Sequence, residues 1–277
     1  LSERNERNQV FGGVPTRDVM KDDFGFDIPV ESIPLPSRGL VYSSDSPLHL
    51  CETVDVKAMT AREEDILTSR ALIKKGTVIT ELIKSCLVDK RIDVSSMLSG
   101  DRNALMVALR ITGYGADYNV EVECPSCQTK SKQTFNLSDL EIKPLNLSPA
   151  VENQNLFEVT LPVTKKVVRF KFLTGADEEE LLAIQERKKK VGGLTDTLVT
   201  TRLQFSIQSI DGKTDKNLIS SFIRSMPARD SLTLRQIIDQ NEPGIDMKSY
   251  MDCPSCSESS EVRIPLGAGF FWPDSGR

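Results

Sequence analysis

The tetrapeptide Cys-Pro-Ser-Cys occurs twice, at 124–127 and at 253–256, and no other feature limits so strongly what this chain can fold into. The first copy lies between "YNVEVE" and "QTKSKQTFNLS", the second between "DMKSYMD" and "SESSEVRIPL". Before the first copy Tyr118, Val120 and Val122 alternate with polar residues, and Phe135 and Leu137 alternate after it. Val262, Ile264 and Leu266 alternate after the second. Period-two alternation around Cys-Pro-x-Cys predicts strand, tight turn, strand. Such a knuckle points two thiolates and nearby backbone N–H groups at one point. Two knuckles complete a tetrahedron of Cys124, Cys127, Cys253 and Cys256, a ligand set that suits Zn2+. The copies stand 129 residues apart, so the fold must reunite distant segments.

Other chemistries fit less well. A thioredoxin-type pair opens a helix beside a βαβ unit, whereas strands follow here. Two separate disulfides are disfavoured in a reducing cytosol. Four thiolates can hold iron, but electron transfer needs more than four cysteines to argue it. Zinc that cross-links two parts of the chain is favoured over iron or disulfides. Cys51 and Cys86 have no assignable partner and read as buried thiols.

The match between the knuckles extends upstream. At an offset of 129, Asp101 falls on Asp230, Leu105 on Leu234, Ala108 on Ile237, Gly115 on Gly244 and Asp117 on Asp246. At an offset of 114, "VDVKAMTAREED" (54–65) lies over "VRFKFLTGADEE" (168–179). Each of the latter reads as an alternating strand and then a helix capped by a threonine: Thr60-x-x-Glu63 is a capping box, Thr174-x-x-Asp177 its acidic variant. Helices are predicted over 61–75, ending at Gly76, and over 77–88, 175–190, 194–209, 216–226 and 229–240. A further helix has Asp101 as its N-cap and ends at Gly113 or Gly115. Lys188, Lys189 and Lys190 complement the C-terminal end of the 175–190 helix. The expected fold class is α+β. It has two tandem, diverged α/β repeats, each running strand, helices, strand, CPSC knuckle, strand, joined by one shared zinc-ribbon-like site. The expected divisions are an extended N-terminal arm (1–50), repeat 1 (51–145), repeat 2 (146–267) and an aromatic C-terminal tail (268–277).

Composition removes whole classes of function. The net charge is −5, and no Lys/Arg block stands out beyond 188–190, so nucleic acid is not an expected partner. Lys130 and Lys132 follow the first knuckle, but Glu258 and Glu261 follow the second, which argues against a zinc-ribbon nucleic-acid module. No apolar run reaches the ~20 residues that span a bilayer. The polar start "LSERNERNQV" lacks a signal-peptide core, which points to a cytosolic origin. The single histidine, His49, leaves no Ser-His-Asp or Cys-His scheme unless it is itself the base. Glycine-rich phosphate loops, HExxH and GxSxG do not occur, and no enzyme is expected. The ends carry isolated apolar residues instead. Phe11, Phe24 and Phe26 stand in a Gly- and Pro-punctuated stretch and are candidate docking residues of an arm that orders on partners. Phe270, Phe271 and Trp272 either staple back onto the chain's own body or anchor a neighbour.

Several stretches resemble one family: "LPSRGLVY" (35–42), "VDVKAMTAREEDILTSRALIKKGTVITELIKSCL" (54–87), "GDRNALMVALRITGYGADYNVEVECPSC" (100–127) and the repeated CPSC near the end. They look like the baseplate hub and hub-assembly proteins of contractile-tailed phages of the T-even type. The resemblance implies a non-enzymatic baseplate component, assembled in the host cytoplasm and carried in the tail of the virion. It implies other hub, wedge and tail-tube proteins as partners. The same family holds assembly factors absent from the mature particle, which is the alternative role. The resemblance supplies no catalytic residue.

Overall fold

The computed structural model describes residues 18–21, 25, 27–190, 198–266 and 270–271. Strands β1 (Asp18–Lys21), β2 (Asp27–Pro34) and β3 (Thr53–Lys57) form an antiparallel sheet in that order. Alternation in β3 buries Val54 and Val56 and leaves Thr53 and Asp55 outside. Thr60 then starts α1 (Ala61–Thr68), which α2 (Arg70–Lys75) and α3 (Val78–Cys86) follow. The predicted continuous helix over 61–75 is broken at Ser69, which is extended (ψ 105°). The Thr68 hydroxyl donates back to the carbonyls of Glu64 and Asp65, a local bond that competes with the helical ladder. Gly76, with φ 75°, caps α2 in the left-handed conformation.

The long helix α4 (Ser99–Tyr114) is buried along most of its length. Its cap is Leu98, not Asp101 as the sequence suggested. The Asp101 carboxylate is drawn away from the cap position by three buried donors: the Ser37 amide (2.9 Å), the Ser37 hydroxyl (2.6 Å) and the Tyr42 hydroxyl (2.6 Å). Hairpin β4 (Asp117–Glu123) and β5 (Lys130–Asn136) carries the first CPSC. The chain continues through β6 (Ile142–Lys143) into a second antiparallel sheet, ordered β7 (Phe157–Thr160), β8 (Val167–Phe170), β9 (Ile207–Ile210). Helices α5 (Gly175–Lys190) and α6 (Leu198–Ser206) intervene between β8 and β9. Then come α7 (Lys216–Ser225), α8 (Ala228–Asn241), β10 (Gly244–Ile245), and hairpin β11 (Lys248–Asp252) and β12 (Ser259–Arg263) around the second CPSC. Strand β10 pairs with β6, so the segment after the first knuckle is laced to the segment before the second. The N-terminal turn of α4 touches the same place: a Cβ at Gly100 would fall 1.7 Å from the Pro243 carbonyl oxygen.

The apolar core is continuous. Ile33, Leu105, Phe157, Leu234 and Phe271 belong to one cluster, so residues 51–145 and 146–267 share a core. The expected arm is also shorter than 1–50. Residues 27–50 are built into the body: β2 lies between β1 and β3, and Leu35, Val41, Tyr42 and Leu48 are buried. Ile33, Leu35, Val41, Tyr42 and Leu48 all join the common core cluster. Residues 1–17 lie outside the described residues.

Local features recur at the spacings of the sequence match. In the first half the Thr60 amide and hydroxyl donate to Glu63, which Lys57 also contacts at 3.1 Å. In the second, 114 residues on, the Thr174 amide and hydroxyl donate to Asp177, which Lys171 contacts at 2.7 Å. Asp230, 129 residues after Asp101, is likewise fully buried and accepts from the amides of Val163 (2.7 Å) and Thr164 (3.0 Å).

Candidate metal centre

Each knuckle is closed by the same two backbone hydrogen bonds. The Cys124 amide donates to the Thr129 carbonyl (3.0 Å) and the Gln128 amide to the Cys124 carbonyl (2.8 Å). In the second copy the Cys253 amide donates to Glu258 (3.0 Å) and the Ser257 amide to Cys253 (2.9 Å). Gln128 and Ser257 both take the left-handed backbone, with φ of 61° and 58°. These bonds turn the chain tightly enough for both cysteines of a knuckle to face the same point.

The two hairpins meet there. The sulfurs of Cys124, Cys127, Cys253 and Cys256 all lie within 4.8 Å of one another. Cys124 Sγ is 3.8 Å from Cys256 Sγ, and Cys127 Sγ is 3.6 Å from Cys253 Sγ. A tetrahedral ion with metal–sulfur bonds of about 2.3 Å has sulfur–sulfur edges of about 3.8 Å, so the residues fit such an ion. Disulfide sulfurs sit about 2.05 Å apart, and all four cysteines here are free thiols. Both short contacts join one knuckle to the other, so an ion held by all four sulfurs ties the halves of the chain together. Cys124 and Cys253 are buried, whereas Cys127 and Cys256 are exposed. A further bond crosses between the hairpins, from the Gln133 side-chain amide to the Asp252 carbonyl (3.2 Å).

The electrostatics of the cluster fall unevenly on the two exposed thiols. The Thr129 hydroxyl and backbone amide both stabilise the Cys127 thiolate and hold its pKa down at about 6. At Cys256 the Glu258 amide acts in the same direction, but desolvation and the hydrogen bonds shared with Cys127, Cys253 and Cys124 outweigh it and push the pKa up to about 12. Four neighbouring sulfurs cannot all carry negative charge without a cation among them, and a divalent ion supplies that charge.

The aromatic residues of the C-terminal tail have a different place. Phe270 and Phe271 are 2% and 4% exposed, in the chain's own core, so they serve as a staple and present no surface to a neighbour. Phe270 packs edge-on against Tyr118 at 5.2 Å, and its carbonyl accepts from Arg110 Nε at 2.7 Å. Arg110 is itself buried, and its other nitrogens donate to the carbonyls of Gly115 and Asp117. This clasp is not announced by the residues around Arg110 or Phe270 in sequence. Its one signal was an arginine on the apolar face of α4, one turn beyond Met106. Phe11, Phe24, Phe26 and Trp272 lie outside the described residues. His49 is half-buried, and its Nδ1 lies 2.9 Å from the Tyr42 carbonyl, which gives the ring a structural contact. Cys86 is buried, and Cys51 half-buried.

Fold and cluster together define an α+β protein with four thiols gathered where its two cysteine hairpins meet. The sequence profile of the family described as "T4 bacteriophage base plate protein" matches residues 41–272, most of the chain, and the chain belongs to that family. It matches no curated protein and no solved structure. None of the described helices is long and apolar enough to cross a membrane.

Proposed function

We propose that this chain is a non-enzymatic structural component of the hub or wedge region of a contractile-tail baseplate. There it holds neighbouring baseplate and tail-tube subunits together after assembly in the host cytoplasm. The observation that carries this reading is the family match over residues 41–272. Zinc, bound by Cys124, Cys127, Cys253 and Cys256, clamps two diverged copies of one strand–helix–knuckle unit about a pseudo-twofold axis. Three recurrences support the duplication: the two capping threonines with their lysines, the two buried aspartates, and the matched turns of the knuckles. The cross-pairing of sulfurs supports the axis, since exchanging the halves turns the Cys124–Cys256 contact into the Cys253–Cys127 contact.

Quantitative mass spectrometry of purified particles tests the role. Peptides of this chain at a fixed ratio to known baseplate proteins are expected in mature phage. Their presence in infected cells with absence from the particle would instead establish an assembly factor that leaves before completion. Metal analysis of the purified protein tests the clamp, with one zinc per chain as the expected result.

A further inference from the structure

The four cysteines of the cluster occupy two kinds of position. Cys124 and Cys253, the first of each knuckle, are 0% and 2% exposed, while Cys127 and Cys256, the second of each, face solvent. The short sulfur contacts pair one kind with the other across the knuckles. Cys127 Sγ faces Cys253 Sγ at 3.6 Å, and Cys256 Sγ faces Cys124 Sγ at 3.8 Å. Each reachable sulfur therefore has a sheltered sulfur of the opposite knuckle beside it. Other contacts also hold the two hairpins in apposition. The Gln133 side-chain amide donates to the Asp252 carbonyl (3.2 Å), the Tyr118 hydroxyl donates to the Pro265 carbonyl (3.1 Å), and β6 pairs with β10. These contacts need no metal, so the facing sulfurs stay within reach of each other when the cluster is emptied. A disulfide holds its sulfurs about 2.05 Å apart, which leaves about 1.5–1.8 Å for each facing pair to close.

A baseplate component passes from a reducing cytosol to an oxidising medium outside the cell. We propose that the four-cysteine centre is a redox latch: a peroxide-class oxidant displaces the zinc and converts the clamp into two disulfides across the knuckles, Cys127–Cys253 and Cys124–Cys256. In each pair the exposed thiolate attacks the peroxide; an S–O bond forms, the O–O bond breaks and hydroxide leaves. The buried thiolate then attacks that sulfur; the S–S bond forms, the S–O bond breaks and a second hydroxide leaves. Two protons from solvent turn both hydroxides into water, so each pair gives two electrons to one peroxide. Two peroxides oxidise the whole centre and release one Zn2+. Bound zinc holds the thiolates and slows the first attack, so the latch closes only with peroxide in excess. The links join residues 126 and 132 apart in sequence, so they restrain the chain as the metal did. This rests on the zinc-clamp and structural-role readings above and adds to them what the centre becomes outside the cell.

The test uses the purified full-length protein, with its zinc counted by native mass spectrometry before and after hydrogen peroxide in excess. Remaining thiols are then alkylated and the unreduced digest is mapped. Zinc should leave as peptides joining Cys127 to Cys253 and Cys124 to Cys256 appear, with Cys51 and Cys86 recovered as alkylated thiols. Unreduced, the oxidised chain should run faster in a denaturing gel, because long loops are closed. A chelator should lower the melting temperature of the reduced protein and leave that of the oxidised protein unchanged. A dimedone trap should label Cys127 and Cys256 ahead of Cys124 and Cys253. Peptides joining Cys124 to Cys127 or Cys253 to Cys256 in equal or larger amount would overturn the proposal. So would oxidation that ends in sulfinic acids, links between separate chains, or trapping of the buried cysteines first. The zinc count before oxidation separates the two readings. A chain without zinc removes the clamp, and the digest still decides the pairing; a zinc-loaded chain that forms no link across the knuckles removes the latch and leaves the clamp standing. The place of the chain in the particle is decided independently, by the mass spectrometry of purified phage.

Discussion

Asp101 accepts a 2.6 Å hydrogen bond from the Tyr42 hydroxyl across 59 residues of sequence, and both residues are buried. The same carboxylate takes the amide and hydroxyl of Ser37, so one side chain of α4 fixes the whole turn between β2 and β3. All three partners are donors. An amide in place of the carboxylate turns one of its two positions from acceptor to donor and sets donor against donor. Asp101→Asn should therefore destabilise the fold by about 2–4 kcal/mol, from two or more charge-assisted bonds lost in the interior. Urea unfolding should show a lower midpoint with an unchanged slope, which marks lost stability and not a changed denatured state.

Glu63 gives a pH signature. Burial alone would raise its pKa, but the hydroxyls of Ser85 and Thr60, the Thr60 amide and Lys57 together outweigh that and hold it at about 2. Its unfolded pKa is about 4.3, so the folded chain binds this proton less tightly than the unfolded chain does. The stability from this group is complete above pH 4.3 and is lost as pH falls towards 2. At pH 7, Glu63→Gln should cost about 2 kcal/mol, and the gap to the unsubstituted protein should narrow to about half as the pH drops to 3. Melting temperatures of both proteins over that range provide the check. An undiminished gap at pH 3 would mean that the carboxylate's charge is not what matters.

Two glycines should respond differently to alanine. At Gly100 the new methyl would meet the Pro243 carbonyl oxygen at 1.7 Å, and backbone cannot rotate away as a side chain can. Gly100→Ala should cost about 3 kcal/mol or more, as overpacking at a backbone contact does. Gly76 has open space around it and only its left-handed φ of 75° to oppose a side chain. Gly76→Ala should cost only about 1–2 kcal/mol. The ratio of the two losses in denaturant titrations separates close approach between the halves from simple backbone strain.

Much of this architecture was legible because it is local. Thr60 and Thr174, each with an acidic residue three positions on, announce the helices that begin at the next residue, and the alternation beside each CPSC marks its hairpin. The helices over 175–190, 216–226 and 229–240 emerge within about two residues at each end. The unread parts depend on distant partners. Nothing near Asp101 in sequence reveals that Ser37 and Tyr42 will outbid the cap position. Leu35, Val41 and Leu48 stand in a Pro- and Gly-punctuated stretch with no helical period, so they read as arm, yet all three join the common core. Phe270 could have staple or anchor roles until Arg110 and Tyr118, over 150 residues earlier, were seen beside it. The four cysteines are the exception: a distant contact readable from sequence, because four-thiolate chemistry demands that the two pairs meet.

That contact yields the sharpest expectation. If the four sulfurs hold one ion, no single knuckle suffices, and the exposed members are equivalent by the exchange of halves. Cys127→Ser and Cys256→Ser should each lose metal to the same extent, well below one zinc per chain by mass spectrometry under native conditions. Thiol labelling adds an independent reading. With zinc bound, even the exposed Cys127 and Cys256 should resist alkylation, and both should react once a chelator strips the ion, because only then are their lone pairs free. Buried Cys86, whose pKa is pushed up to about 12 by burial, then by Glu63, should stay unreactive before and after chelation and serves as the internal control. Full zinc retention by either single serine variant would rule out the shared site. Rapid labelling of Cys127 before chelation would mean that its thiolate is not engaged by a metal at all.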